Sequence, residues 1–543
     1  MTTDFDLILI AQSEVVDYRG YSHLPLDRIE VYRELVYPRM VYHGGAFRSH
    51  IDLLNIVGNG VSFVDATAEQ RRSLLSVWNL PSLGGLHLAN YLHAQGFRVC
   101  VINNFDAESD RFREVYANCQ APPLVGISTT FHLGWAEIRR LSGQLRNLDP
   151  GMAIVVGGAF ANALTHTQEL SAFEAPMRKY RIDYLIHGFH AEPDLANLLR
   201  ARRGEFDLAA TANLVYFDTD DHFQATAQQW NPPLLDDQPA CFDRICAPFI
   251  NRTVQARTSS GCAFSCAFCS YPRVARGYHP MSLDAVDRSL ASIKRIPGVR
   301  SVVFVDDTFN IPRERFRGIC DLLARHQLDW YSFLRVQFIN EDDAKRMRDS
   351  GCQAVYLGIE SANDQVLENM NKKATRAEFT RGVNLLRKQG IVSMAAFVLG
   401  FPGETKKSID DDLQFIEQTG VEFYTLKPFY YMAHTGVHEQ REQYQLTGMG
   451  NQWSHSTMDA VTVQRHLMRL FREIKGSCYL DADTSLWHIA LMCDAGFSLA
   501  EIERLQRETN EIVRRQLDGQ FDDADPGFAR LKAILDHRDV HHD

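Results

Sequence analysis

Two stretches of this chain, parting near residue 240, alternate short β-rich runs with helical periodicity, and that alternation restricts the fold to parallel α/β architecture. In the first stretch, "LGGLHLANYLHAQGFRVCVI" predicts a helix with Leu83, Leu86, Ala89 and Leu92 near one face, a stop around Gly96, and a strand beyond it. "LVGIS" (124–128), "AIVVGG" (153–158) and "DYLIHG" (183–188) are further strands. They end in small or hydroxyl residues: Ser128, Thr129 and Thr130, then Gly157 and Gly158, then Gly188. Ligands of open α/β sheets sit outside the carboxyl ends of the strands, and glycine there lets a bulky ligand approach the backbone closely. For one such position taken alone, a Gly-Gly pair that only makes a tight strand-to-helix turn is the favoured reading.

The second stretch predicts strands at 253–259, 301–306, 330–336, 354–360, 393–400 and 422–428, with helices between them. In "AEFTRGVNLLRKQG", Phe379, Val383 and Leu386 share a face and Gly390 ends the helix. Six β/α repeats predict an incomplete barrel. Beyond about 435 the pattern is helical and polar, with "FSLAEIERLQRETNEIVRRQL" amphipathic. At about 150 residues per unit, 543 residues suggest three or four units. The reading is an N-terminal extension (1–80), an α/β domain (81–215), a Pro- and Asp-rich linker (216–250), a partial barrel (251–435) and a helical C-terminal region (436–543).

Charge narrows the function. With 57 basic against 68 acidic residues the formal charge is −11, which does not recommend nucleic acid as a partner. "MTTDFDLILI" lacks the basic start and long apolar core of a signal peptide, and no apolar run approaches the ~20 residues that span a bilayer. The expectation is a cytoplasmic protein without a membrane partner.

Three of the eleven cysteines crowd into "SSGCAFSCAFCSYP", where Cys262, Cys266 and Cys269 form C-x3-C-x2-C just after the first barrel strand. That is the carboxyl edge where barrel enzymes place their chemistry. Cys100, Cys119, Cys320, Cys352, Cys478 and Cys493 lie singly in mostly apolar surroundings and read as small core residues, and Cys241 and Cys246 are left as structural. Three thiolates on one loop suit zinc or an iron–sulfur cluster. Zinc normally closes with a fourth ligand, for which His279 is nearest. A cluster held by three cysteines leaves one iron open.

The cysteine array, with Phe268 before its last member, resembles the signature of the radical S-adenosylmethionine (radical SAM) enzymes. The resemblance implies a 4Fe-4S cluster on Cys262, Cys266 and Cys269, with SAM bound to its open iron. It assigns Asp306, Asp307 and Thr308 of "FVDDTFN" to the methionine amino group, and Arg335 and Glu360 to the carboxylate and the ribose or amino group. Gly400, Gly403 and Glu404 of "GFPGET" are assigned to the adenine. Each motif alone has a bland reading, as a helix cap or a turn.

From about 81 to 200 the chain resembles the cobalamin-binding Rossmann-like domain that precedes many such barrels. Ser128, Thr130, Gly157, Gly158 and Gly188 match positions that hold the nucleotide tail and corrin. No D-x-H-x-x-G supplies a histidine to cobalt, so the resemblance implies base-off cobalamin. "VDDTFN", "NMNKKAT", "GFPGET" and "QWSHSTM", with "DLILI" and "YHGGAF", look most like the family named for the P-methyltransferase of phosphinothricin biosynthesis. Trp453 and His455 are read as a packing residue at the barrel mouth and a satisfied polar residue, in preference to residues that approach the substrate. The implied reaction uses one SAM to methylate cobalamin and a second to form an adenosyl radical, delivering a methyl group to an unactivated phosphorus or carbon. The substrate is a small molecule or peptide, the electron donor is of flavodoxin or ferredoxin type, and Arg273, Arg276 and Lys427 are possible anchors for an anionic substrate. A rearrangement or cyclisation enzyme, or a non-catalytic cobalamin or metal-binding protein, is the alternative. A methylthiotransferase would bring three more cysteines to its first domain, where residues 1–240 hold only Cys100 and Cys119.

Overall fold

The computed structural model describes residues 4–13, 38, 40–63, 65–132, 134–236, 252–480 and 485–536. Cys241, Cys246, the part of the expected linker beyond Asp236 and the polar tail beyond Asp536 lie outside the described residues.

The first unit contains β1 (Leu7–Gln12), a hairpin of β2 (Met40–His43) and β3 (Ala46–Ser49), and then β4 (Val99–Asn104), β5 (Leu124–Ser128), β6 (Ile154–Gly157), β7 (Tyr184–Ile186), β8 (Leu214–Phe217) and β9 (Phe223–Ala225). Its sheet runs β4-β1-β5-β6-β7-β8-β9. It is parallel as far as β7 and closes with the antiparallel pair β8 and β9. The position of β1 corrects the expected extension over 1–80. Its apolar run is buried throughout and pairs on both sides, Leu7 with Val99 and with Leu124. A strand covered on both faces has no alternation to announce it, and so short a run shows its place only through its neighbours. The chain leaves β1 for β4 on one side and then crosses to β5 on the other. The carboxyl ends of β1 and β5 therefore flank the topological switch point at which such sheets bind ligands.

In the second unit, β10 (Thr253–Ala256) leads into a hairpin of β11 (Ser259–Gly261) and β12 (Tyr278–Pro280), followed by β13 (Ser301–Phe304), β14 (Asp329–Leu334), β15 (Cys352–Glu360), β16 (Val392–Leu399) and β17 (Phe423–Pro428). β10, β13, β14, β15, β16 and β17 form consecutive parallel neighbours, the six strands expected of the partial barrel. Cys478–Tyr479 adds a seventh, two-residue strand beside β17.

Residues paired in register on parallel strands point to the same face. Tyr356, Met394 and Phe423 thus make one row across β15, β16 and β17, and Gly358, Ala396 and Thr425 make the next. Val398 and Lys427 stand one step closer to the carboxyl rim. The Tyr356 ring packs on Phe333 (5.1 Å), and Phe333 packs on Trp487 (5.6 Å). The helix Ser485–Asp494 therefore floors the concave side of the barrel with aromatic surface, beneath small residues and a charged rim.

The C-terminal helix Leu499–Leu517, begun by a Ser498/Glu501 capping box, holds the N-terminal hairpin in place. Gln516 accepts from Tyr42 N at 2.9 Å and donates to Tyr42 O at 2.7 Å. Among the described residues no helix is long and apolar enough to cross a membrane.

Candidate active site

The cysteine loop is shaped before any metal is considered. Gly261 ends β11 at φ +80°, and a Cβ placed on it would stand 1.8 Å from the Gly277 carbonyl oxygen, so only glycine fits beside β12. Downstream, Ala267 N donates to Met370 O (2.8 Å), Val437 N donates to Ala267 O (2.8 Å), and Asn371 donates to Ser265 O (2.8 Å). Segments far apart in sequence thus hold Cys262, Cys266 and Cys269 on one turn, with Cys269 N donating to Cys266 O at 3.0 Å.

The two adjacent aspartates separate in role. Asp306, 1% exposed, accepts from Thr258 N (3.0 Å), Thr258 Oγ1 (2.9 Å) and Ser259 Oγ (2.5 Å). Those donors use its carboxylate to pin the start of the cysteine loop, which corrects its expected assignment to a methionine amino group. A buried carboxylate is tolerated only when so satisfied. Asp307 reaches solvent at the mouth, where desolvation by the surrounding protein and the charge of Asp306 push its carboxyl up to about 7. Thr308 Oγ1 lies 3.3 Å from Cys262 Sγ.

Arg335, at the end of β14, is 5% exposed, lies over the Phe264 ring at 3.7 Å and donates through Nη2 to Cys266 Sγ at 2.9 Å. Its buried Nη1 has no partner among the described residues. Glu360 takes φ +68° and pairs with the buried Lys372 at 2.9 Å. The charges of Lys372 and Arg335 oppose the effect of burial on the Cys266 thiol, which is still raised. Burial pushes Cys269 up to about 11. Both thiols therefore favour the protonated form until a metal displaces the proton.

Among the described residues no three His, Cys, Asp or Glu side chains converge on a single metal ion, and His279 hydrogen-bonds the Ala275 carbonyl at 3.2 Å. Soft thiols on one loop, with guanidinium and ammonium groups beside Cys266, fit an anionic cluster; the unpartnered Arg335 Nη1 fits a carboxylate bound next to it.

The "GFPGET" turn departs from its expected role at two positions. A Cβ on Gly400 (φ +86°) would meet the Trp453 ring at 2.6 Å, so that glycine serves packing. Glu404 is fully buried with its Oε2 accepting from Gly400 N, and burial followed by the charge of Asp412 raises its carboxyl well above the usual range. Neither reaches a ligand by its side chain. Gly403 (φ +93°) lies against Asn369, and Phe268 meets Phe401 edge-on at 6.4 Å. Trp453 donates to Phe429 O (2.7 Å) and stacks on His455, whose Nε2 lies 3.0 Å from Gly400 O; both have the structural roles read from the sequence.

The carboxyl edge of the first sheet meets this loop beyond β7. Phe189, just beyond β7, packs on Tyr271 at 6.0 Å, and His190 Nε2 lies 3.5 Å from Ser260 Oγ. Ser13 Oγ, His132 Nδ1 and His187 Nε2 are buried without partners among the described residues. Burial holds both imidazoles down at about 4, so they are neutral near pH 7. Ser128 and Thr130 share a hydrogen bond of 3.1 Å, beside Phe131 at 40% exposure. The glycines carry less than expected. A Cβ on Gly158 would meet Thr129 N at 2.9 Å, and one on Gly188 would meet Asp194 Oδ2 at 2.6 Å; one on Gly157 would meet only Ile186, at 3.4 Å from its O and 3.8 Å from its Cβ. At Gly158 and Gly188 the close approach is made by the protein itself. Unpartnered polar atoms beside exposed hydroxyl and aromatic surface nonetheless fit a large, amide-rich ligand.

Residues 257–416 match the family model of the Radical SAM superfamily. This radical SAM region takes in the three cysteines, Asp306, Arg335, Glu360, Lys372 and Glu404, and stops short of Lys427. An uncharacterized methyltransferase of Pyrococcus horikoshii is 27% identical over 311 residues, 56% of this chain and 65% of that protein. An anaerobic magnesium-protoporphyrin IX monomethyl ester cyclase of Rubrivivax gelatinosus is 27% identical over 357 residues, 61% of each. The chain thus spans less than two thirds of the length of both relatives. Among solved structures, the radical S-adenosylmethionine methyltransferase TsrM of Kitasatospora setae, with tryptophan and a SAM analogue bound, superposes with a TM-score of 0.53 at 17% identity, covering 84% of this chain and 93% of that one. The cobalamin-dependent S-adenosylmethionine radical enzyme OxsB, with aqua-cobalamin and SAM bound, gives 0.55 at 14%, covering 84% and 77%. The likeness is one of fold: an α/β domain ahead of a radical SAM barrel, followed by a helical region.

The buried cation Lys372 and the switch-point residue Ser13 escape sequence reasoning. "NKKAT" shows two adjacent lysines, and nothing local says which one is buried against Glu360.

Proposed function

We propose that this chain is a cobalamin-dependent radical SAM methyltransferase, acting on an unactivated phosphorus of a phosphinate or an unactivated carbon of a natural-product or peptide substrate. The supporting observation is the juxtaposition of the cysteine loop with the carboxyl edge of the first sheet, through Phe189 on Tyr271 and His190 beside Ser260. Two ligand-binding edges that face each other suit a reaction needing two cofactors. The P-methyltransferase family of phosphinothricin biosynthesis is the finer reading, resting on "WSHSTM" and the N-terminal motifs.

When bound, the cluster with SAM supplies an adenosyl radical, and cobalamin supplies the methyl group. The protein does the rest. Cys262, Cys266 and Cys269 hold the cluster, and Arg335 and Lys372 offset the negative charge gathered at Cys266. Arg335 Nη1 is placed for the SAM carboxylate, Asp307 for its ammonium, and Glu360 for the ribose. Ser13, Ser128, Thr130, His132 and His187 hold cobalamin at the switch point, with Gly157, Gly158 and Gly188 shaping the turns beneath. The aromatic floor of Trp487, Phe333 and Tyr356 keeps water from the well. The enzyme works in the cytoplasm on electrons from a flavodoxin- or ferredoxin-type donor. A non-methylating cyclisation is the second reading, favoured by the length of the match to the Rubrivivax gelatinosus cyclase.

The full chain is expected to take up equimolar cobalamin with a base-off absorption spectrum and no histidine on cobalt. Absence of uptake would leave a radical SAM enzyme working without cobalamin. A histidine-coordinated spectrum would overturn the base-off assignment and direct substitution to His132 and His187.

A further inference from the structure

Of the three cations named as anchors for an anionic substrate, two have other occupations. Arg273 pairs with Glu439 at 2.7 Å, and the Arg276 guanidinium lies 5.6 Å from the Trp230 ring centre. Lys427 does not. It is exposed and its side chain makes no ion pair or hydrogen bond among the described residues, yet its register with Val398 turns it to the concave face of the barrel. One row deeper on that face, Thr425 is 0% exposed and its Oγ1 has no partner among the described residues. At the same rim Glu360 pairs with Lys372 and Arg335 donates to Cys266, while Arg257 and Asp307 stand near each other on the cysteine-loop side.

The well therefore has an aromatic floor, a small wall at Ala396, the Glu360–Lys372 pair lying over Gly358, and the cation Lys427 at the edge beyond the radical SAM region. We propose that Lys427 anchors an oxyanion of the substrate, a carboxylate or a phosphinate, with Thr425 as a second donor beneath it. This inference deepens the methyl-transfer reading and rests on it for what else the well contains. It makes Lys427 a specificity-determining residue: an ammonium at the rim fixes the charged end of the substrate, and the apolar well receives the reacting end.

The test is equilibrium binding of phenylphosphinate, benzoate and neutral benzamide to the full chain, with and without its cofactors, in wild type, Lys427→Met and Lys427→Arg. A lost charge-assisted hydrogen bond lowers affinity by about ten- to a hundredfold. Lys427→Met should show that loss for the oxyanions, Lys427→Arg should restore most of the affinity, and benzamide should bind all three proteins alike. Stronger binding of phenylphosphinate than benzoate identifies the phosphinate source, and the reverse order a carboxylate. The inference is overturned if wild type binds neither oxyanion better than benzamide, or if Lys427→Met binds both as well as wild type. A wild-type chain that takes up no cobalamin would sink the methyl-transfer reading instead, leaving the cofactor-free comparison readable.

Discussion

Cys269→Ala is expected to yield a folded protein that holds neither iron nor sulfide and makes no 5'-deoxyadenosine above the reagent background. Cys269 shares one turn with Cys266 through the 3.0 Å hydrogen bond from its own N–H. That bond is to backbone, so alanine preserves the turn while removing the sulfur. The thiol is buried and raised to about 11, and truncation forgoes one hydrogen bond to its sulfur, from the Tyr271 backbone. Folding should change by no more than about 1 kcal/mol, the scale of an ordinary buried substitution. Metal content should collapse, because a cube held at two corners has lost a third of its protein ligands and exposes a second iron. Iron and sulfide analysis, with the melting temperature as a control, checks both parts. A full iron complement in the variant would refute the assignment of the third ligand.

Gly261→Ala should do nearly the same without touching a ligand. The residue is at φ +80°, which costs a non-glycine residue about 1–2 kcal/mol before any contact is counted. Its Cβ would stand 1.8 Å from the Gly277 carbonyl oxygen, a backbone atom that cannot swing away. The β11–β12 hairpin has to open, and Cys262 is the next residue in the chain. A destabilisation of at least about 3 kcal/mol and loss of most bound iron are expected. Gly44→Ala is the control: φ is +61° and nothing lies within 4 Å, so only the backbone term applies. If Gly261→Ala melts and binds iron like Gly44→Ala, the hairpin does not shape the site.

The barrel was legible because its strands, four to nine residues long, are rich in β-branched, aromatic and small apolar residues and alternate with helical patterns. Leu7–Gln12 was not, since its run has the same composition but stands some 87 residues ahead of its partner β4, with nothing local to tie them (Gln12 to Val99 spans 99 − 12 = 87 positions). Cys478–Tyr479 is too short to carry any period. At the site, the spacing of the cysteines was visible, while the division of labour between Asp306 and Asp307 was not. That division is set by Thr258 and Ser259, which reach Asp306 across 48 and 47 residues of sequence. Gly400 and Gly158 were read as room for a ligand because sequence shows that a side chain is missing but not what fills the space. Trp453 fills the first and Thr129 the second.

The most direct test of the central claim is the product balance of the reconstituted full chain, turning over under anaerobic conditions with a substrate that gains one methyl group by mass. The account predicts S-adenosylhomocysteine and 5'-deoxyadenosine in comparable amounts, each matched to methylated product, because one SAM recharges cobalamin and another makes the radical. 5'-Deoxyadenosine formed without S-adenosylhomocysteine, on a substrate altered but not methylated, would contradict it and establish the cyclisation reading.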